Sequence, residues 1–144
     1  MKVKYYDLES KRVFITGGGS GIGASIVEHF CEQGSEVYFI DINEDESKKL
    51  IEDIKNKNYI LPTFIKCDLL NIKELQKTIA DIISEKGPID ILINNAANDT
   101  RHKIDDVTEE YWDERMNVNL RHFFFTVQSV KKSMIDNGGG AIIN

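Results

Sequence analysis

A glycine-rich segment, Thr16-Gly17-Gly18-Gly19-Ser20-Gly21-Ile22-Gly23, has the residue types that could bind a diphosphate. It lies between a run of β-branched and aromatic residues and an amphipathic stretch, so it is predicted to connect a strand to a helix. Unpaired amides at a helix start carry about half a positive charge, which stabilises an anion there. Taken alone, the segment could equally be a flexible turn. The predicted cofactor contacts here are Gly17, Gly19, Ser20, Gly21, Ile22 and Gly23.

Asp41 supplies the second half of a dinucleotide pattern. It lies 18 residues after Gly23, at the end of a second predicted strand, where a carboxylate can accept hydrogen bonds from both ribose hydroxyls. The neighbouring positions Ile42 and 44–46 contain no Arg or Lys for a 2′-phosphate, and Ile42 is included among the cofactor contacts. The pattern therefore favours NAD over NADP, because a phosphate would face like charge. Alternatively, Asp41 is an acid at the entry to a helix.

Short β-branched runs alternate with longer amphipathic stretches along the whole chain, which is typical of successive βαβ units. The predicted strands are Arg12 to Thr16, Glu36 to Asp41, Tyr59 to Lys66, Ile89 to Ile93 and one that starts at Ala141. The predicted fold is α/β, a Rossmann-type doubly wound parallel sheet of order 3-2-1-4-5. Residues 1–144 are predicted to be a single NAD(P)-binding domain. The third strand is expected at an edge, because Pro62 cannot donate to a ladder.

The helices have recognisable ends. Asn43 with Glu46 and Asn71 with Glu74 have the spacing of capping boxes. The first helix is predicted over Gly21 to Gln33, and its apolar face consists of Ile22, Ile26, Val27 and Phe30. Gly34 is expected to end it in a left-handed turn. A long helix is expected from a cap at Thr108 to about Asp136.

Composition excludes several classes of protein. The chain has 144 residues, 41% of them hydrophobic, with a net charge of −6. An acidic chain disfavours nucleic acid as a partner, and no apolar run has the roughly 18 residues of a membrane span. The N-terminal segment, residues 1–7, lacks the apolar stretch of a signal peptide, so a cytoplasmic protein is expected.

The cysteines and histidines do not indicate a metal site. Cys31 and Cys67 are expected to be buried thiols, since they lack the spacing of a zinc site or a disulfide framework. His29, His102 and His122 also lack metal-ligand spacing, and no metal is predicted.

With these motifs in place, the chain resembles the short-chain dehydrogenase/reductase family over all 144 residues. The Thr-Gly-x-x-x-Gly-x-Gly spacing carries the resemblance, and so does Asn94-Asn95-Ala96-Ala97, where Ala97 replaces the usual glycine. The resemblance implies cofactor contacts from Asp68, Leu69, Asn95, Ala96 and Ala97. It also implies that Asn119 holds a water in the proton relay of the family. A structural role for Asn119 is the alternative, since an asparagine within a helix is costly unless it bonds something.

The resemblance implies a hydride transfer between a substrate carbon and nicotinamide, with a tyrosine exchanging the proton. In the family the catalytic serine and the Tyr-x-x-x-Lys pair follow the strand that begins here at Ala141. No Tyr-x-x-x-Lys occurs in this sequence, and Tyr111 followed by Arg115 cannot replace it. We therefore expect a domain truncated after the start of its fifth strand, with the C-terminal part absent and no activity alone. We predict that a set of large side chains on the predicted long helix serves packing: Tyr111, Trp112, Met116 and Phe123 to Phe125.

The segment after the fourth strand suggests a substrate. Residues 98–102 of this segment and the later Asn119-Leu120-Arg121-His122 closely resemble the corresponding segments of NAD-dependent aldose 1-dehydrogenases acting on arabinose, xylose or galactose, which oxidise the anomeric carbon to a lactone. The candidate substrate residues are Asn98, Asp99, Arg101 and His102. Alternatively, Asp99 and Arg101 form a pair that stabilises the loop, and His102 packs on the long helix.

Other functions also stay open. One is a non-catalytic dinucleotide-binding module, and another is a reductase of 3-oxoacyl or ketone substrates on the same scaffold. The resemblance further implies a homo-oligomer built partly on the long helix.

Overall fold

The computed structural model describes residues 3–144, so Met1 and Lys2 of the N-terminal segment considered above lie outside the described residues. The strands are β1 (Arg12–Thr16), β2 (Glu36–Asp41), β3 (Thr63–Lys66), β4 (Ile91–Asn94) and β5 (Ala141–Ile143). The helices are α1 (Gly21–Gln33), α2 (Glu44–Asn56), α3 (Ile72–Lys86), α4 (Glu109–Met116) and α5 (His122–Asp136). Short 3₁₀ turns cover Tyr6–Leu8 and Ile104–Asp106.

The strands form one parallel sheet in the order β3-β2-β1-β4-β5. This order confirms the predicted doubly wound Rossmann-type fold, with β3 at one edge. Because the strands are parallel, their carboxyl ends lie along one edge of the sheet. The glycine-rich segment, Asp41 and the segment after β4 all leave the sheet at that edge.

Several predicted helix ends are confirmed. Gly34 has a left-handed φ of 90° and its amide bonds back to Cys31 O and Phe30 O. Asn43 accepts a hydrogen bond from the amide of Glu46 at the start of α2. Asn71 does the same for α3, and Thr108 for α4.

The predicted long helix is helical without a break from Glu109 to Asp136, but it contains a π-helical segment, Asn117–Arg121, between α4 and α5. Such segments are often found at functional sites. The periodicity of the sequence could not show it, because a single π turn shifts the apolar pattern by only one residue.

Three strand boundaries differ from the predictions, and one of them is the end of β4, which lies at Asn94 rather than Ile93. β3 begins at Thr63, because Pro62 has no amide proton and the residues before it do not pair with β2. β4 begins at Ile91. The backbone amide of Arg12 donates to the side-chain carboxylate of Asp90, and so it is not available for a backbone bond of the β1–β4 ladder at this position.

The sheet has an apolar layer on each face. Alternate strand residues point to opposite faces, so Phe14 and Leu92 pack with α3 and α5, whereas Ile15 and Phe39 pack with α1 and α2. Cys31 and Cys67 are buried, as expected, and burial raises the pKa of Cys31 to about 12 and that of Cys67 to about 11.

Some predicted packing residues are not buried. Ile22, on the predicted apolar face of α1 and also a predicted cofactor contact, is 76% exposed. Trp112 and Phe124 are also largely exposed, and Met116 is partly exposed, at spacings that place them on an outward side of α4 and α5. Phe123 and Phe125 are half-buried. Within residues 3–144 no helix combines the length and the hydropathy that crossing a membrane requires.

Candidate functional site

The glycine turn connects β1 to α1 and is held against β2. The amides of Gly17 and Gly18 donate to Ile40 O at 2.8 and 3.2 Å. Gly17 has a φ of 66°, and a Cβ there would lie 2.7 Å from Ala96 Cα. A Cβ at Gly23 would overlap the carbonyl oxygen of Gly17. Glycine is therefore required at both positions by the close approach of backbone to backbone.

The start of α1 is open. Ser20 occupies the N-cap position but its side chain makes no capping hydrogen bond. Ser20, Gly21 and Ile22 are exposed, and a Cβ at Gly21 would meet nothing within 4 Å. The first amides of α1 therefore have no side-chain cap, and the backbone at Ser20 to Ile22 is exposed, where a phosphate could accept from them.

The carboxylate of Asp41 stands beside this turn. Its Oδ2 accepts from the amide of Gly19 at 2.9 Å, and its Oδ1 accepts from the amide of Asn43 at 2.9 Å. The second bond lies just before α2, so part of the helix-entry interpretation also holds. Each carboxylate oxygen has two lone pairs, so each keeps one for a ribose hydroxyl.

Two lysines lie close to the acidic residues that follow Asp41. The β2–β3 register pairs Asp41 with Lys66, a neighbour that sequence proximity could not reveal. Lys66 and Lys48 lie 3.5 and 2.7 Å from the two carboxylate oxygens of Glu44. The hydrogen bond from Lys48 and its charge, followed by those of Lys66, lower the pKa of Glu44. Both lysines are therefore paired with Glu44.

The segment after β4 is tied to the glycine turn. The side-chain amide of Asn95 donates to the carbonyls of Thr16 and Gly17 at 3.1 and 2.9 Å. The backbone amides of Asn95 and Ala96 donate to Thr16 Oγ1. Ala97 has an ordinary negative φ, so the glycine usual in the family is not required here by backbone conformation.

The other predicted cofactor contacts follow β2 and β3 at the same edge. Ile42 is 68% exposed. Asp68 is exposed, and its Oδ1 accepts from the amide of Leu70. Leu69 is half-buried against the apolar layer. The fold thus brings these residues to the edge that carries the glycine turn, which agrees with the placement predicted from strand order.

Asn119 connects the long helix to the predicted substrate loop, residues 98–102, by two hydrogen bonds. Its Oδ1 accepts from the amide of Asn98 at 2.7 Å, and its Nδ2 donates to Asn98 O at 3.0 Å. It lies within the π-helical segment. These two bonds satisfy the structural interpretation of Asn119, and its part in a proton relay stays a prediction.

Several polar groups of this loop form hydrogen bonds within the loop or with the long helix. The side-chain oxygen of Asn98 accepts from the amide and the hydroxyl of Thr100. Tyr111 donates its hydroxyl proton to Thr100 O at 2.7 Å, and the ring of His102 lies 4.1 Å from that of Tyr111. His102 therefore packs on the long helix, as the alternative interpretation held.

Asp99 and Arg101 do not behave as that alternative expected. In the part of the chain that the structure describes, no ion pair joins them. Both side chains are exposed beside the Asn119 contact. Their charged groups are open to a ligand, and so are the ring nitrogens of the exposed His102.

Sequence reasoning missed the roles of Thr16 and His122. Both are fully buried, and Thr16 Oγ1 lies 3.3 Å from His122 Nε2. Their separation of 106 residues left no local signal of this contact. Among residues 3–144 no group of three or more His, Cys, Asp or Glu side chains could hold a metal ion.

Similarity to known proteins agrees with this geometry. The family profile described as short chain dehydrogenase matches residues 11–144. The chain is 49% identical over 140 residues to D-xylose 1-dehydrogenase of Caulobacter vibrioides, covering 97% of this chain and 54% of that protein. It is 43% identical to a protein of Rhizobium meliloti named probable galactose dehydrogenase GalD, covering 98% of this chain and 55% of the relative.

Solved structures show the same fold. A hydroxysteroid dehydrogenase from Escherichia coli matches with a TM-score of 0.85 and 32% identity, covering 94% of this chain and 57% of that one. An aldohexose dehydrogenase from Thermoplasma acidophilum matches with a TM-score of 0.81 and 28% identity, covering 96% and 49%. The chain spans about half the length of the curated relatives that it matches. The profile match and these relatives show that the chain belongs to the short-chain dehydrogenase family.

Proposed function

We propose that this chain is the cofactor-binding part of an NAD-dependent dehydrogenase, organised as one NAD(P)-binding domain. The carboxylate of Asp41 carries the proposal, because the amides of Gly19 and Asn43 hold it beside the glycine turn with lone pairs free for ribose hydroxyls. The uncapped amides of α1 would take the diphosphate next to it. The tight backbone contacts at Gly17 and Gly23 keep this turn close enough to do so.

NADP is the competing cofactor, and Lys66 favours it, since this lysine lies beside Asp41 in the neighbouring strand. A gluconate 5-dehydrogenase from Burkholderia cenocepacia, 30% identical, was solved in complex with NADP. We favour NAD because Lys66 and Lys48 are both bonded to Glu44, while Asp41 would repel a 2′-phosphate.

For the whole protein we propose oxidation of an aldose at its anomeric carbon to a lactone. The relatives named as D-xylose and galactose dehydrogenases support this class of substrate. A bound nicotinamide would accept the hydride. Asp99 and Arg101 are exposed and free of each other, so they could bond sugar hydroxyls, and Asn119 keeps their loop against the helix.

The cofactor proposal is tested by calorimetric titration of the 144-residue chain with NAD and with NADP. We expect measurable NAD binding and weaker NADP binding. Equal or tighter binding of NADP would contradict the choice of cofactor, and absence of binding by either would contradict the site.

The substrate proposal is tested by NADH production with D-xylose, L-arabinose and D-galactose. We expect activity from the chain extended by its native continuation. We expect none from the 144-residue polypeptide, because a positioned proton-exchanging group contributes about 10² to 10⁴ in rate and this sequence has no Tyr-x-x-x-Lys. Turnover of acetoacetyl thioesters by the extended chain would favour the reductase alternative. Binding without turnover of either substrate class would favour a non-catalytic module.

We further propose a cytoplasmic homo-oligomer. Trp112, Met116 and Phe124 present exposed apolar side chains along the long helix. Exposed apolar surface favours association. Light scattering tests this proposal, and a stable monomer at micromolar concentration would contradict it.

A further inference from the structure

A buried histidine lies behind the candidate cofactor site and has no part in the function proposed above. His122 begins α5 and is fully buried, and its Nδ1 lies 2.7 Å from Val118 O. Its Nε2 lies 3.3 Å from the hydroxyl oxygen of Thr16, which is equally buried at the end of β1. The imidazole therefore bridges the long helix and the central strand of the sheet.

The hydrogen bonds around Thr16 determine where the protons lie. A threonine hydroxyl offers two lone pairs and one proton. The amides of Asn95 and Ala96 donate to Thr16 Oγ1 at 3.0 and 3.1 Å, so both lone pairs are occupied. The hydroxyl proton must then point to another acceptor, and His122 Nε2 is within reach. Since Val118 O accepts at the other ring nitrogen, His122 is the neutral tautomer protonated at Nδ1.

The surroundings favour this neutral form. Burial lowers the pKa of His122, and the bond to Val118 O opposes the shift only in part. An imidazolium would aim a second N–H at an oxygen that has no lone pair left. A nearby bond from the Thr126 hydroxyl to Asn94 Oδ1, at 2.7 Å, fixes the same helix to β4, so the imidazole cannot easily move away.

We propose that His122 is a positioning residue for the cofactor site: through the Thr16 hydroxyl it holds the Asn95 and Ala96 amides in place. The proposal rests on the proposed function, because it takes the segment Asn95 to Ala97 to contact the cofactor. Without an acceptor at Nε2, the hydroxyl proton is left buried and unpaired, or it turns toward the two amides and displaces one of them. In either case the segment loses its fixed position against the glycine turn.

Three substitutions separate this role from simple packing. His122→Gln can place an amide oxygen near the position of Nε2, whereas His122→Asn is too short to reach Thr16 and His122→Phe keeps a ring without an acceptor. We expect Asn and Phe to weaken NAD binding about five- to tenfold, the loss of one buried hydrogen bond, and Gln to restore most of it. Equal losses in all three variants would overturn the proposal in favour of packing.

A double-mutant cycle tests the connection through Thr16. In a Thr16→Val background, His122→Phe should weaken NAD binding little further, because the hydroxyl that it serves is gone. Additive losses would overturn the connection.

NMR of the cofactor-free chain tests the same hydrogen bonds without relying on NAD. We expect the His122 ring to carry its proton on Nδ1 near neutral pH. We also expect the amide shifts of Asn95 and Ala96 to move in His122→Phe and to return toward parental values in His122→Gln. A ring protonated at Nε2 in a chain that binds NAD would overturn the role of His122 alone. Failure of the parent chain to bind NAD would overturn the proposed function and, with it, the assignment of this segment to the cofactor.

Discussion

The starts of α1 and α2 lie at the same edge of the sheet but are completed in different ways. At α2, Asn43 accepts from the amide of Glu46 and Asp41 accepts from the amide of Asn43. At α1, Ser20 makes no capping bond and the turn before it is built from glycines. Since unpaired helix amides are normally satisfied by a side chain, water or a ligand, the difference separates a structural helix end from one open to an anion.

The largest expected effect on NAD binding comes from a side chain that disturbs the glycine turn at the uncapped start of α1. Gly23→Ala adds a Cβ that overlaps Gly17 O, so the turn must shift and NAD binding should be abolished. Ser25→Ala, at an exposed position further along α1, is the matched control and should bind NAD like the parent. Calorimetry measures the affinities, and circular dichroism establishes that each variant is folded. A folded Gly23→Ala chain with parental affinity would refute the assignment of the glycine turn.

The next effect tests the carboxylate that stands between the two helix starts. Asp41→Ala should weaken NAD binding by about 1 to 3 kcal/mol, the range for hydrogen bonds to a charged group. Asp41→Asn keeps one side-chain oxygen but loses the charge, so we expect its preference for NAD over NADP to shrink. The ratio of the two dissociation constants measures this preference. An unchanged ratio in both variants would show that Asp41 does not select the cofactor.

A cap introduced at α1 should have opposite effects on stability and binding. Ser20→Asp can accept from the first amides of α1 and should raise the free energy of unfolding by about 0.5 to 1 kcal/mol. The same carboxylate competes with a phosphate and repels it, so NAD affinity should fall. Urea unfolding and calorimetry give the two quantities. If stability and affinity rise together, the open amides are not the phosphate site.

The smallest effect on NAD binding is expected at the capped start of α2. Asn43→Ala removes the cap of α2 and should lower the free energy of unfolding by about 1 kcal/mol. The backbone amide that donates to Asp41 remains, so NAD affinity should stay within about twofold, well below the change expected for a charged hydrogen bond. A loss as large as that of Asp41→Ala would mean that the α2 start also belongs to the binding site.

Local signals in the sequence were sufficient for much of the fold. The caps Asn43, Asn71 and Thr108, the stop at Gly34 and the order of the strands were all predicted and are confirmed. These features depend on residues a few positions apart, or on the general rule for βαβ connections. The predicted boundaries failed where a distant partner decided them, as at Asp90, whose carboxylate bonds to the amide of Arg12.

The candidate cofactor site also combines features that depend on local sequence with features that depend on distant partners. The sequence by itself determined the glycine turn and the acid at the end of β2, because glycine content and strand endings are local properties. Only the tertiary structure placed Lys66 beside Asp41, bound Asn119 to the backbone of Asn98, and brought His122 to Thr16. It also left Ile22 and Trp112 exposed, although both occupy apolar positions of their helices. Each of these contacts or exposures depends on how strands and helices align in space, and residue spacing along one element carries no information about its partner on another.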